Sequence, residues 1–280
     1  PVLALADVSP ENQTRSGSGI GELDRVLGGG LVSGSVVLLR PIQLNNKLLE
    51  SSGNVLALTG QLPAGGEIGD EALLDLFKSL DARVVDIDEA ELGSEFDPYT
   101  FDGRKAAADP ELSVAVPSAE DIASLGRRSS YKTIYLVWKD GQLDRIVLPI
   151  RGAGMWSMLY GYISLESDLN TIAGVMFYEH NETPGLGDQI AKPHWQAKWI
   201  GKKLYEDTDD VLFHVAEGPV AAGASGAEYQ VDALTGATIT ANAVTALVQY
   251  WFGPHGYGPL LQRLRDQPPQ KPAEAAGQES

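Results

Sequence analysis

The chain has no cysteine, only four histidines and few positive charges, and each shortage removes a class of function. Without cysteine there are no thiolate iron–sulfur centres, no Cys-based zinc sites and no disulfides. The absence is compatible with an oxidising compartment and does not require one. His180, His194, His214 and His255 are scattered, with no HxxxH pair, so a metal site built on them is not expected. Lys and Arg number 21 against 38 Asp and Glu, for a formal net charge of −17. Such a field repels nucleic-acid phosphates and anionic membrane surfaces, so charge alone points to neither as a partner. Long apolar runs are missing too. The uncharged stretch over residues 26–39 falls short of the ~20 residues that a spanning helix needs, and it contains Gly28, Gly29, Gly30 and Gly34. No basic segment leads into an apolar run and a cleavage site. Read alone, the sequence predicts a soluble chain.

What is present is an ordinary globular composition. Of 280 residues 43% are hydrophobic and 21% charged, enough for a sizeable core in one large domain or two small ones. Carboxylates concentrate between Glu67 and Asp97, where a solvated face is expected. The polar residues 1–18 and the Pro- and Gln-rich tail after Arg265 are expected to be disordered. Residues 22–27 read as a short helix, followed by a glycine turn and a β-rich run at 35–39. Asp70 is placed to cap a helix carrying Leu73, Leu74, Phe77 and Leu80 at helical spacing. A short strand is expected at 83–87 and loops from about 92 to 130. From Tyr131 the pattern turns to strands. Residues 133–138 and 143–150 flank Lys139-Asp140-Gly141-Gln142, and Asp-Gly between apolar runs signals a hairpin. Strands at 156–165 and 171–178 follow around Asp168-Leu169-Asn170. Helices are predicted at 195–205 and at about 241–251, the latter with Val244, Leu247, Val248 and Trp251 on one face. The predicted fold is α+β, a twisted, mainly antiparallel sheet with flanking helices. Its parts are an N-terminal segment 1–39, a loop-rich α/β region 40–130, a domain 131–266 and a tail 267–280.

The run Asp232-Ala233-Leu234-Thr235-Gly236-Ala237-Thr238-Ile239-Thr240 stands immediately before the last helix. Thr240 is expected to cap that helix. Thr238 then lies just outside the N-terminus, where free N–H groups and the dipole favour an anion. Gly236 and Ala237 leave the backbone approachable. The physics suits a phosphate site and does not demand a covalent one; a capped turn accounts for a Thr-Gly-Ala-Thr tetrapeptide equally well.

The run resembles the flavinylation motif D-x-x-[ST]-G-A-[ST]-x-[ST] of the covalent FMN-binding domain family. In that family a flavin transferase takes FMN from FAD and joins its phosphate to the hydroxyl that corresponds to Thr238. Asp232, Thr235, Gly236, Ala237 and Thr240 match the flanking positions. The resemblance extends over roughly residues 40–266. The run from Leu148 through Arg151-Gly152-Ala153-Gly154-Met155-Trp156-Ser157-Met158, the loop Glu182-Thr183-Pro184-Gly185-Leu186-Gly187, residues 199–204 and residues 251–259 are all similar to the NqrC family, a flavin subunit of Na⁺-pumping NADH:quinone reductases. Ferredoxin-using complexes have a homologous flavin subunit, but the Trp-Ser-Met run and the Phe-Gly-Pro ending favour the quinone reductase.

The resemblance implies an electron-transfer flavoprotein, part of a Na⁺-transporting translocase and not catalytic alone. It implies FMN on Thr238, with electrons arriving from an intramembrane iron centre and leaving to the FMN of NqrB. NqrB, NqrD, NqrE and the flavin transferase are the implied partners. The implied location is the bacterial inner membrane, with the flavin domain on the periplasmic side. On the 182–187 loop it implies a ring contact, with Leu186 packing on the isoalloxazine and Thr183 and Gly185 beside it. Trp156 has two readings, a stack near the flavin and a core tryptophan. Lys202 and Lys203 are either phosphate partners or solvated. An acid/base role for Glu179 and Glu182 is not expected, because electron transfer through a flavin needs none.

One region departs from the family. NqrC proteins ordinarily begin with a transmembrane helix, whereas residues 19–39 resemble the start of the RecA-like ATPase core of RadA/Sms-type DNA-repair proteins. Arg40-Pro41-Ile42-Gln43 stands where those proteins place a phosphate-binding loop, so no nucleotide cradle is expected. The competing reading is a degenerate RecA-like fragment fused to a flavin-free interaction domain.

Overall fold

The computed structural model describes residues 49, 52–62, 68–206 and 210–272, together with the backbone of two short strands nearer the N-terminus. The chain divides into two compact units, Pro1–Ser52 and Gly53–Ser280. In the first, Arg15–Ser16 (β1) pairs antiparallel with Leu31–Val32 (β2). The helix expected at 22–27, the strand at 35–39 and the last eight residues of the tail lie outside the described residues. Among the described residues no helix is long and apolar enough to cross a membrane.

The second unit is built on a five-stranded antiparallel sheet. Its strands are β3 (Asp81–Asp86), β6 (Tyr131–Lys139), β7 (Gln142–Ala153), β8 (Met158–Glu166) and β9 (Ile172–Glu179), in the order β3-β6-β7-β8-β9. The α+β class with a mainly antiparallel sheet is therefore as predicted. Asp140 and Gly141 make the β6–β7 turn, both at positive φ (51° and 78°), the geometry that matches the right-handed twist of paired strands. Asp168 closes the β8–β9 turn by accepting hydrogen bonds from the N–H groups of Asn170 and Thr171 and from the Thr171 hydroxyl.

Period-two alternation sends side chains to both faces of the sheet. Ile134, Leu136, Ile146, Leu148, Ile150, Leu159 and Ile163 join one large core cluster with the helix α5 (Thr238–Phe252). Val244, Leu247, Val248 and Trp251 of α5 are fully buried there, as their spacing predicts. The helix lies close over β7. A Cβ on Gly152 would come within 3.1 Å of Leu247, and the Trp251 indole donates to the Arg151 carbonyl at 2.6 Å. The opposite face takes α1 (residues 53–59) and α2 (Asp70–Lys78), with Phe77 against Tyr135 and Leu58 against Gly174.

Two stretches differ from expectation. Residues 92–130 contain α3 (Gly103–Ala108), capped by the Asp102 side chain, and a strand pair, β4 (Ser113–Ala115) with β5 (Arg127–Ser129). The helix expected over 195–205 is only α4 (Pro193–Gln196) and a 3₁₀ turn, Ala197–Trp199. Gly201, at φ +79°, ends it, and the backbone then bonds to the start of β9 through Gly201 N–H to Ile172 O and Ile172 N–H to Lys202 O. A short parallel pair, β10 (His214–Val215) with β11 (Gln230–Val231), leads into α5, and α6 (Gly258–Asp266) closes the described structure.

Candidate functional site

Antiparallel order puts the end of β7, the start of β8 and the end of β9 at one edge of the sheet. The 153–157 turn and the loop after Glu179 therefore meet there, and the N-terminus of α5 arrives beside them. α5 starts at Thr238, three residues before the position expected from the sequence. Thr240 is not its cap. The cap position is Ala237, which makes no side-chain bond, and the Thr240 hydroxyl instead donates to Glu182 Oε2. The physical reason is the turn ahead of the helix. Gly236 sits at φ +73° and the Ala237 N–H bonds to Leu234 O at 3.0 Å, which brings Thr238 into the first helical position. The first backbone bond of the helix is Ala241 N–H to Ala237 O. The N–H groups of Thr238, Ile239 and Thr240 thus precede the intrahelical ladder, as the first turn of any α-helix requires. Thr235, Gly236 and Thr238 are exposed, while Ala237 is buried.

Four of the sequence-nominated residues surround this helix end. Trp156 is 65% exposed, so its core reading is excluded, and its indole N–H donates to the Thr183 hydroxyl at 3.0 Å. Leu186 is 41% exposed, and its Cδ2 would lie 3.0 Å from a Cβ on Gly236. Gly185, at φ +79°, turns the 182–187 loop, with its N–H donating to Asp188 Oδ1 at 2.7 Å.

Asp232 is held on the segment that leads into the turn before α5. It accepts from Lys198 Nζ at 2.6 Å and from the Val220 N–H at 2.8 Å, and its carbonyl accepts from the Trp195 indole at 3.0 Å. The bond from Lys198, then that from Val220, holds its carboxyl below the usual carboxylate range. Lys202 donates to the Ala227 carbonyl at 2.6 Å and is thereby committed to structure.

Glu179 and Glu182 do not act as a pair. Glu179 receives both guanidinium nitrogens of Arg104, which also lies 3.7 Å over the Tyr160 ring. Glu182 is only 4% exposed. Its Oε1 accepts from the N–H groups of Met155 at 2.9 Å and Trp156 at 3.2 Å, in addition to the Thr240 bond on Oε2. Sequence reasoning misses this role, although the place of Glu182 in the Glu-Thr-Pro-Gly-Leu-Gly loop is a visible signal.

Comparison with known proteins places the chain among its relatives. Residues 154–253 match the FMN-binding domain family. The chain is 44% identical over 234 residues to the NqrC subunit of the Na(+)-translocating NADH-quinone reductase of Pseudomonas aeruginosa, covering 84% of this chain and 89% of that protein. It is 38% identical to the corresponding subunit of Neisseria meningitidis serogroup B, covering 84% and 88%. The crystal structure of Shewanella oneidensis NqrC superposes with a TM-score of 0.72 at 34% identity, covering 79% of this chain and 99% of that one.

Proposed function

The chain belongs to the NqrC family of Na(+)-translocating NADH-quinone reductase subunits, and from that premise we propose that it carries FMN joined through its phosphate to Thr238 and relays single electrons within that complex. The observation that carries the reading is an exposed hydroxyl on the first residue of a 15-residue helix, beside N–H groups outside the ladder, with an exposed indole and leucine at the same edge. The residues present fit the cofactor. Helix-end N–H groups and the dipole suit a phosphodiester. Trp156 and Leu186 offer apolar surface to a flat ring, and Gly236 keeps open a space that a Cβ would close against Leu186. Bound FMN supplies the one-electron redox chemistry, and the protein supplies position and electrostatics. Thr183, Gly185, Leu186 and Trp156 are the proposed ring contacts. Asp232, Thr235, Gly236, Ala237 and Thr240 form the proposed attachment turn. The other subunits of the reductase, NqrB, NqrD and NqrE foremost, are the proposed partners, with the flavin domain on the periplasmic face of the inner membrane.

The test is co-expression with a flavin transferase. The denatured wild-type band is expected to fluoresce under ultraviolet light and Thr238→Ala to be dark. A dark wild-type band, or a fluorescent Thr238→Ala, overturns the reading.

A further inference from the structure

We propose that Glu182 is a positioning residue for the flavin, an inference that rests on the assignment of FMN to Thr238. Its carboxylate fixes the first turn of α5 against the 153–157 turn, so that the tethered ring is seated at the Trp156–Thr183 edge instead of swinging on its phosphate.

A carboxylate this deeply buried is expensive unless it is satisfied. Among the described residues Glu182 has no ion-pair partner. Its three donors are the Met155 and Trp156 N–H groups on one oxygen and the Thr240 hydroxyl on the other. These come from two different segments, so one side chain joins them. The neighbouring backbone passes close to it only because Gly154 and Gly187 lack side chains. A Cβ on Gly154 would fall 2.5 Å from Oε1, and one on Gly187 would fall 2.9 Å from Oε2 and 2.7 Å from the Thr240 hydroxyl. The next residue, Thr183, holds the Trp156 indole. Glu182 and Thr183 together thus fix both the backbone and the ring of Trp156, while Glu182 also holds the helix turn that starts with Thr238. This assigns a physical task to the last hydroxyl of the attachment motif: Thr240 donates to Glu182 and caps nothing.

The experiment uses the full chain co-expressed with a flavin transferase. Attachment is read by fluorescence of the denatured band, and ring seating by flavin anisotropy and visible circular dichroism of the native protein. Thr240→Val and Glu182→Ala are expected to lower the anisotropy and weaken the induced dichroism of the attached flavin. Thr240→Ser and Glu182→Gln are expected to restore both, since each can still bridge the two segments. Should Thr240→Val and Glu182→Ala both lose attachment, with Ser and Gln regaining it, the bridge is again supported. Wild-type anisotropy and dichroism in both loss variants, with only the melting temperature lowered, would overturn the proposal and leave the FMN assignment intact. Normal attachment in Glu182→Ala but none in Thr240→Val would do the same, reassigning Thr240 to transferase recognition. A dark wild-type band sinks the FMN assignment and this inference with it.

Discussion

Lys132 is a nearly buried lysine within the sheet. It lies on β6, only 7% exposed, with its ammonium 5.1 Å over the Trp251 ring. Arg151, Arg128 and Arg104 surround it, and each already has an acceptor: the Arg127 carbonyl, Asp88 and Glu179 respectively. Among the described residues no carboxylate pairs with Lys132. Burial first, then the field of Arg151, Arg128 and Arg104, lowers its pKa to about 7. The cation–π contact opposes this but is worth only about 0.5–2 kcal/mol, so the depression wins. Above its unfolded value of about 10.4 the lysine is neutral in both states and folding carries no penalty. As pH falls from there to 7, the unfolded chain binds a proton that the folded chain does not. Stability then drops by about 1.4 kcal/mol per pH unit, and below pH 7 the penalty is constant. Between pH 9 and pH 7 the loss is about 2–3 kcal/mol, or roughly 5–10 °C in melting temperature for a domain of this size. Lys132→Met removes the proton site and keeps the apolar stem. Urea melts of both proteins from pH 7 to pH 10 isolate the effect from other titrating groups. Lys132→Met is expected to be the more stable at pH 7, with its advantage shrinking as pH rises. Parallel profiles across that range would refute the reasoning.

Three further outcomes follow from single contacts. Gly236→Ala places a Cβ at φ +73° and 3.0 Å from Leu186, so thermal melting should show a loss of about 1–2 kcal/mol; an unchanged melting temperature removes the left-handed turn from the account. Asp232→Asn should lower stability at neutral pH. Because the carboxyl is held below its unfolded value, the wild-type advantage is present above about pH 4 and is lost as pH falls through the lower folded value. Acid titration of the two proteins by circular dichroism checks whether their curves converge at low pH. Trp156→Ala, at an exposed position, should change stability by no more than about 0.5 kcal/mol. In flavinylated protein it should raise flavin emission, because an indole beside the ring quenches it; equal emission would place Trp156 away from the ring.

The legible parts of the fold are those whose signal is local. Asp140-Gly141 specifies its turn through two residues that tolerate positive φ, and the buried face of α5 repeats at helical spacing. The parts that escape the sequence depend on distant partners. Gly201 and Lys202 leave the helical path where their backbone bonds to Ile172 of β9, and the Lys203 N–H bonds to the Glu228 carbonyl. α3 is six residues long, with Ala106 and Ala107 as its buried residues, too little apolar surface to register as a periodic pattern. At the site, Trp156, Thr183, Leu186 and the turn before α5 are nominated by family resemblance, and the structure brings them to one edge. Glu182 escapes any reading that weighs a carboxylate only as an acid or base.

Two carboxylates beside the start of α5 show why sequence proximity misleads there. Asp232 is inside the motif yet partly exposed, and it is held by Lys198, an interaction that water and salt weaken. Glu182 is 58 residues before Thr240 yet buried, and it is held by donors that carry no formal charge. A buried carboxylate paired with a lysine would require desolvating two ions; three neutral donors satisfy it while desolvating one. The price is strict geometry, which Gly154 and Gly187 provide by lacking side chains. A hydroxyl at position 240 is therefore demanded by a residue on another loop, and no inspection of the helix start by itself distinguishes that demand from a cap.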